Sequence, residues 1–267
     1  MMLHEQGKLE YDDVVQKFIP DFPYKNITVR QLLAHRSGLP NYMYFAGKYW
    51  KSKKTFLTNE QLLGIIQQYK PRVEFSPDKR YKYSNTGYAV LASIVEHISG
   101  LPFDEFMEQN IFAPLEMTNT FISNPKNKKT IEYETIGYTK RKRKTSSSFL
   151  DGVTGDKGVY STVEDLFTWD QALYTEKLIK QSTLEEAFTP NSYDYKRRNN
   201  YGFGWRIDTQ DNGSKIVYHG GLWGGYNCLF VRRLEDHTAI IILGNKVNWS
   251  FGDPEQLIGI VDSVETY

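Results

Sequence analysis

The spacing of the apolar residues changes about two-thirds of the way along this 267-residue chain, and that change restricts the fold more than any other feature. Beyond residue 200 the chain breaks into short segments rich in β-branched and aromatic residues, which is typical of strands. The segments span residues 201–208, 215–219, 226–233 and 238–243. Turn signals separate them at 211–213 and 234–236, so we predict an antiparallel meander.

Helix signals fill most of the chain before residue 190. At four places a hydroxyl residue is followed three positions later by Glu or Gln, the pairing that closes a helix start. The four pairs are Thr28 with Gln31, Thr58 with Gln61, Ser161 with Glu164, and Ser182 with Glu185. A fifth helix is predicted over residues 86–99, with Gly100 as its end signal. A closing helix is predicted over residues 254–264.

This order of elements, helices first and then a meander with a closing helix, indicates an α+β fold in which helices flank an antiparallel sheet. We expect a single domain over residues 1–267. Within it we expect a mostly helical subdomain at 16–160 and a sheet-and-helix subdomain at 161–267. With 40% hydrophobic residues, a chain of this length can bury a substantial core.

Charge and composition argue against several functional classes. The 33 basic residues balance 32 acidic ones, so no global field draws the chain to nucleic acid or to a membrane surface. The basic run at residues 140–144 has no interleaved aromatic residues, and we interpret it as a solvated loop or edge hairpin. No segment is apolar enough for a membrane span. The single cysteine, Cys228, is expected to be buried and inert.

Tyr83, Ser84 and Asn85 stand directly before the predicted helix at 86–99. The positive end of the helix dipole favours negative charge there, so we expect a lowered pKa for Tyr83, which could then carry a proton. The Asn85 amide can both donate to and accept from a substrate. The tripeptide alone is a weak signal, because the chain has 19 tyrosines and most tyrosines pack with a satisfied hydroxyl.

His219, Gly220 and Gly221 end a predicted strand. Paired glycines let a ligand approach the backbone closely. A strand edge at that point offers free N–H groups to a developing oxyanion. The simpler alternative is a glycine-rich strand end with a surface histidine.

Taken together and in this order, Tyr-Ser-Asn and His-Gly-Gly resemble the second and third motifs of serine β-lactamases, penicillin-binding proteins and their esterase relatives. Other segments resemble the same family, namely residues 27–40, 101–103, 158–166, 201–205 and 243–245. The resemblance covers nearly the whole chain and includes class C β-lactamases and D,D-peptidases. It agrees with the helix-and-sheet order deduced above.

The resemblance implies acyl transfer through a serine ester, with no cofactor and no metal. It makes Tyr83 the proton shuttle between nucleophile and leaving group, and Asn85 the group that holds the substrate's amide or acyl side chain. His219 stands where many members have lysine, and would orient a substrate carboxylate or assist proton transfer. Because neutral imidazole anchors a carboxylate poorly, a peptidase or esterase is favoured over an authentic β-lactamase. The expected substrate-binding residues are Gly220, Gly221 and Leu222, with the Leu222 N–H as half of the oxyanion hole.

The family's first motif, Ser-x-x-Lys, is expected upstream of Met1. Two strings match it, at residues 76–79 and 123–126. The first directly precedes Tyr83 and the second has proline inside a polar run, so we interpret both as loops. Residues 1–6 would then be the end of the nucleophile helix, stopped by Gly7. We therefore expect a truncated chain that lacks the nucleophile and the N-terminal strands and leaves an unpaired sheet edge beside residues 238–243.

The leading hypothesis is a serine hydrolase for an ester, a D-amino-acid peptide or a β-lactam, inactive as the chain is given. The alternative is a non-catalytic module that binds a peptide or peptidoglycan between Tyr83 and His219. The expected partner is a small molecule or peptide, and not nucleic acid. Oligomeric state and localisation stay open. A full-length parent could be periplasmic or secreted, although the opening residues do not resemble a signal peptide.

Overall fold

The computed structural model describes residues 1–123, 135–191, 199–247 and 251–265. Helices surround an antiparallel sheet, so the predicted α+β architecture is confirmed. The helices are α1 (Met2–Glu5), α2 (Val29–Leu33), α3 (Tyr42–Tyr49), α4 (Asn59–Tyr69), α5 (Asn85–Ser99), α6 (Phe103–Met107), α7 (Val163–Ala172), α8 (Gln181–Ala187) and α9 (Pro254–Glu265). The strands are β1 (Phe121–Ile122), β2 (Val159–Tyr160), β3 (Asn199–Tyr201), β4 (Arg206–Thr209), β5 (Lys215–Trp223), β6 (Tyr226–Arg233) and β7 (Thr238–Gly244).

The main sheet is the predicted meander, with strands β3 to β7 side by side and each antiparallel to its neighbours. Two predicted strands differ in extent. The segment 201–208 is two strands, because Gly202 and Trp205 close a turn in which Gly204 adopts a φ of +80°. The segment 215–219 continues to Trp223. Within the described residues, the outer edge of β7 has no strand beside it.

Helix α5 is the centre of the helical part. It contacts α2, α3, α4 and α6. Its buried face includes Val90 and Ile94, and Gly100 ends it with a φ of +72°. Glycine suits that left-handed position because it carries no Cβ. The predicted helix at 86–99 is therefore confirmed, as is the closing helix α9.

Two of the four predicted capping boxes are confirmed. At Thr28 and at Thr58 the threonine side chain accepts the N–H three residues later, and the glutamine at that position accepts the threonine's own N–H. Each helix start thereby satisfies two backbone donors that would otherwise lack partners. Both helices begin one residue after the threonine, as the prediction requires.

The other two predicted boxes are wrong. Helix α7 is capped by Thr162, whose side chain accepts the Asp165 N–H. The Ser161 hydroxyl is instead 2.7 Å from the Thr120 hydroxyl, so it does not cap the helix. Helix α8 begins at Gln181, before Ser182, and Lys180 at its N-cap makes no side-chain hydrogen bond.

The basic run at residues 140–144 forms an exposed turn, which confirms the interpretation as a solvated hairpin. Tyr138 pairs with Lys144 in an isolated antiparallel bridge, and Lys142 adopts a φ of +59° at the turn. Five neighbouring cations on a tight turn remain in water, where solvent screens their repulsion. The run is thus a surface feature of this fold.

The opening of the chain forms the short helix α1, and Gly7 follows it with a φ of +67°. Leu3 is buried in the main core. No helix of the described residues has the length and apolarity to cross a bilayer. Those same residues contain no cluster of three or more His, Cys, Asp or Glu suited to a metal ion.

The sheet buries one ion pair completely. The Arg232 Nε of β6 donates to Asp170 Oδ1 of α7 at 2.5 Å, and both side chains are 0% exposed. Aromatic rings cover the guanidinium, with the Tyr174 ring centroid 4.6 Å from its central carbon. Charges removed this far from water need partners to be tolerated. The pair therefore locks α7 onto the sheet.

Candidate active site

Half of β5 has a free edge. Strand β4 pairs with β5 only from Lys215 to Tyr218, whereas β6 pairs with β5 as far as Trp223. Among the described residues, the stretch 219–223 therefore has no strand on its β4 side, and we name it the free edge of β5. His219 was predicted to end a strand, but it lies inside β5, because pairing with β6 carries the strand four residues further.

The turn between β5 and β6 determines which backbone groups point to the free edge. Gly224 and Gly225 form a two-residue hairpin turn with φ values of +58° and +88°. In such a hairpin the flanking pair, here Trp223 with Tyr226, is hydrogen-bonded, and the next pair is not. The N–H of Leu222 consequently points away from β6, toward the free edge. This is the orientation that the predicted oxyanion role of Leu222 requires.

Gly220 and Gly221 have different surroundings. A Cβ on Gly221 would lie 2.7 Å from the Cys228 Sγ across the strand pair, so glycine makes room for that sulfur. A Cβ on exposed Gly220 would find only ordinary contacts at 3.4 Å or more. Cys228 is half-buried, and burial raises the pKa of its thiol, which agrees with an inert cysteine.

Tyr83 lies across from the free edge of β5. Its ring centroid is 6.0 Å from that of His219 and 4.1 Å from that of His35. The expected lowering of its pKa is wrong. Burial, followed by the negative charge of Asp156, raises the pKa of Tyr83 to about 12. The phenol precedes the N-cap of α5, and these effects outweigh any attraction from the helix end.

Asn85 is the first residue of α5, and its Nδ2 lies 3.2 Å from the Sδ of Met43. The helix start is fixed by Thr86, whose hydroxyl donates to the Pro40 carbonyl at 2.6 Å and accepts the Tyr42 N–H at 2.7 Å. These bonds tie the start of α5 to the start of α3. The structure thus brings Tyr83 to His219, while the Asn85 side chain lies against α3.

His219 is half-buried, and its Nε2 lies 3.2 Å from the hydroxyl of Tyr201. Burial, followed by the positive charge of Arg206, lowers the pKa of His219 to about 4. The imidazole is therefore neutral at neutral pH. A neutral ring is a poor anchor for a carboxylate but a good hydrogen-bonding group.

Arg206 is a site residue that the sequence reasoning missed. Its charge also lowers the pKa of His35 and acts in the same direction on Tyr83. In the register of the sheet, Arg206 pairs with Tyr218, the residue before His219. It takes part in none of the ion pairs formed among the described residues. A lone arginine in a strand gives no sequence signal, because only the register of β4 on β5 brings it to the site.

A second wall of the site holds a buried pair of opposite charges. Lys157 Nζ lies 3.4 Å from Asp156 Oδ1, with side-chain exposures of 8% and 1%. The Lys157 amine also donates to the Tyr42 hydroxyl and lies 5.1 Å from the centroid of the Trp223 ring. The Trp223 indole N–H in turn donates to Asp151 at 2.8 Å. The end of the free edge is therefore rigidly supported by residues far away in sequence.

Comparisons with known proteins identify the family of the chain. A family profile described as β-lactamase matches residues 1–264. The chain belongs to the β-lactamase family. Penicillin-binding protein 4* of Bacillus subtilis strain 168 is 34% identical to it over 92% of the chain. The chain spans 57% of the length of that relative.

Two further proteins similar to this chain carry the names of specific hydrolases. A putative D-alanyl-D-alanine carboxypeptidase of Escherichia coli K12 is 24% identical over 95% of the chain and 67% of its own length. The crystal structure of the D-amino acid amidase of Ochrobactrum anthropi SV3 with D-phenylalanine superposes with a TM-score of 0.76 at 23% identity. That superposition covers 98% of this chain and 86% of the amidase. The superposition shows that the two proteins share a fold.

Proposed function

We propose that this chain provides the substrate-binding part of a serine hydrolase for peptides that end in a D-amino acid with a free carboxylate. The observation that carries the proposal is the position of Arg206, which forms no ion pair among the described residues and pairs with Tyr218 directly before the free edge of β5. Its positive charge acts on the pKa of both His219 and Tyr83. An extended substrate backbone can pair with such an edge. Its terminal carboxylate would then meet the guanidinium, which can bind it through two parallel hydrogen bonds.

Arg206 and His219 would share the place that lysine has in other members, with Arg206 binding the carboxylate and His219 hydrogen-bonding near the reacting bond. Arginine stays protonated at all physiological pH values, whereas His219, with a pKa of about 4, stays neutral. The carboxylate would therefore bind to Arg206, and His219 would hydrogen-bond near the reacting bond. This division supports a peptidase, whose substrates end in a free carboxylate, over an amidase, whose amide substrates lack one.

The chemistry would be transfer of the acyl group to a serine hydroxyl, followed by hydrolysis of the ester by water. Tyr83, with its pKa of about 12, is protonated in the resting protein and suited to give a proton to the departing amine. Its oxygen would take the serine proton in the same step in which its own proton passes to the amine, so the phenol is protonated again when the amine has left. The Leu222 N–H would stabilise the negative charge that develops on the carbonyl oxygen.

The serine itself would come from neither Ser-x-x-Lys string. Ser76 is exposed in a turn that continues through Asp78, at a φ of +66°, and it belongs to no helix. Ser123 follows β1 and donates its N–H to the Gly158 carbonyl, while residues 124–126 lie outside the described residues. On this proposal the chain as given binds substrate without forming an ester.

The experiment compares N-acetyl-D-alanyl-D-alanine with its C-terminal amide, using calorimetry or NMR titration on the purified chain. We expect the carboxylate form to bind at least tenfold more tightly, and Arg206→Gln to abolish the difference. Arg72→Gln, in an exposed position, is the matched control and should keep it. Equal affinity for the two ligands, or no binding of either, would overturn the proposal.

The nucleophile is tested separately with a fluorescent penicillin. We expect no covalent label on the chain as given. A label that survives the double variant Ser76→Ala and Ser123→Ala would show that another serine of this chain acylates, while binding by Arg206 would still stand. Saturable peptide binding without any turnover in a longer form of the protein would instead favour the non-catalytic module.

A further inference from the structure

A chain of hydrogen-bonding groups runs from the protein interior to His219. His35 follows α2 in the buried core and is 2% exposed. Its Nε2 lies 3.1 Å from the hydroxyl of Tyr201, and that hydroxyl lies 3.2 Å from Nε2 of His219. The three side chains come from segments that are far apart in sequence, since 166 positions separate His35 from Tyr201. The contact between them is a product of the fold.

The proton on His35 has one possible place. The Ser84 N–H donates to Nδ1 of His35 at 3.2 Å, so Nδ1 is an acceptor and carries no proton. Burial, followed by the charge of His219, lowers the pKa of His35 to about 3, so the ring is neutral. A neutral imidazole has one N–H. That N–H is on Nε2 and donates to the oxygen of Tyr201.

Tyr201 therefore receives a hydrogen bond from His35 and has one proton left to give. Burial raises the pKa of Tyr201 well above its ordinary value, so the hydroxyl keeps this proton. Two acceptors compete for it, namely Nε2 of His219 and the oxygen of Tyr88. Tyr88 already donates its own proton to the Leu33 carbonyl at 2.8 Å. An imidazole nitrogen is far more basic than a phenol oxygen, so the Tyr201 proton points to His219.

We propose that His35 and Tyr201 are positioning residues that hold His219 in its Nδ1–H tautomer, so that the imidazole meets the free edge of β5 as a hydrogen-bond donor. The Ser84 N–H starts the relay and His219 ends it. With Nε2 accepting from Tyr201, the single proton of the neutral ring is on Nδ1. In this arrangement the basic nitrogen of His219 is occupied by Tyr201 and is withheld from substrate.

The inference specifies what His219 does in the proposed hydrolase. A donor at this place can hold a substrate oxygen, whereas it cannot take a proton from a serine or a water molecule without first breaking its bond to Tyr201. The role of His219 toward a substrate rests on the proposed function. The tautomer itself is measured in the resting protein without substrate, so the two can fail separately.

The experiment is two-dimensional ¹H–¹⁵N NMR of the histidine side chains in the full chain, at neutral pH. The five histidines give few signals, and substitution of His219 by Gln assigns its resonances by their loss. We expect Nδ1 of His219 to show the shift of a protonated nitrogen and Nε2 that of an unprotonated one. The opposite pattern in the wild-type protein would overturn the proposal, whatever the variants do.

Tyr201→Phe removes the hydroxyl and should move the His219 signals toward the tautomer mixture of a free imidazole. Tyr81→Phe is the matched control, because its ring lies 5.5 Å from that of Tyr201 and 6.1 Å from that of His35 in the same cluster. It should leave the His219 tautomer unchanged. A merely structural role of Tyr201 predicts the same His219 signals in Tyr201→Phe as in wild type, and that result would also overturn the proposal.

Discussion

The buried ion pair between Arg232 and Asp170 offers a sharp test of what holds the sheet to α7. Asp170→Asn keeps the volume of the side chain and removes its charge. The guanidinium would then be left in the core without a counterion, at a site where both side chains are 0% exposed. Removal of one partner of such a pair costs about 3–5 kcal/mol. That is a large share of the roughly 5–15 kcal/mol by which a domain is stable.

Two observations place the expected loss toward the upper part of that range. Arg232 Nη1 already has no hydrogen-bond partner in the described structure, so few other bonds would stabilise the guanidinium once the carboxylate is gone. The rings of Tyr174, Phe188 and Trp205 surround the guanidinium with centroids 4.6, 5.6 and 5.8 Å from its central carbon. Water therefore cannot easily reach the stranded charge. The rings themselves attract a cation, but more weakly than a carboxylate does at contact distance.

The assay is urea unfolding followed by tryptophan fluorescence, because Trp205 lies beside the pair and reports its environment. The exposed pair of Arg30 with Asp12 provides the control, since Asp12→Asn should cost less than about 1 kcal/mol. The double variant Arg232→Met and Asp170→Leu should have a free energy of unfolding within roughly 1–2 kcal/mol of that of the wild type. An Asp170→Asn loss below about 1 kcal/mol, or a double variant less stable than either single one, would refute the reasoning.

Two further predictions concern the site. Gly221→Ala places a Cβ 2.7 Å from the Cys228 sulfur, so we expect it to lower the unfolding free energy by about 1–3 kcal/mol, with the loss largely restored by adding Cys228→Ala. Absence of rescue in urea unfolding would contradict this. The pKa values of His35 and His219 are lowered to about 3 and about 4 in the folded chain. Below about pH 6.5 these two histidines therefore become protonated in the unfolded chain while they stay neutral in the folded one. Stability should be fully present above pH 6.5 and fall toward pH 4 by roughly 1.4 kcal/mol per pH unit for each histidine. His219→Gln should reduce that slope, and an unchanged slope would argue against a neutral buried His219.

Local signals in the sequence predicted the elements that depend on a few neighbouring residues. Thr58 caps α4 as expected, because its bonds reach only three residues along the chain. The sequence could not decide between Ser161 and Thr162, since both hydroxyls precede α7 and only the tertiary contact of Ser161 with Thr120 removes it from the cap. The length of β5 was underestimated because glycines are poor strand formers. Pairing with β6 nevertheless keeps Gly220 and Gly221 in the strand.

The candidate site divides in the same way. Tyr83 and His219 were found because each lies in a short motif with a resemblance to known hydrolases, and the structure brings their rings within 6.0 Å. The direction of the Tyr83 pKa was wrong, because it depends on burial and on Asp156, which is 73 positions away in sequence. Arg206 and His35 were missed because only the packing of distant segments gives them a role.

The charges around the free edge of β5 favour one orientation of an anionic ligand. Two histidines and one buried ion pair near this edge carry no net charge. His35 and His219 are neutral through burial, and the Lys157 amine is matched by Asp156. Arg206 forms no ion pair among the described residues, so its positive charge is not balanced by a contacting carboxylate there. A flexible anionic ligand would therefore find one preferred end of the edge, and its orientation would be set before any contact with His219. Arg206→Glu reverses that charge and should abolish the binding of carboxylate ligands. If the groove bound ligands through uncharged polar groups alone, the same variant would weaken the binding of carboxylate and amide ligands equally.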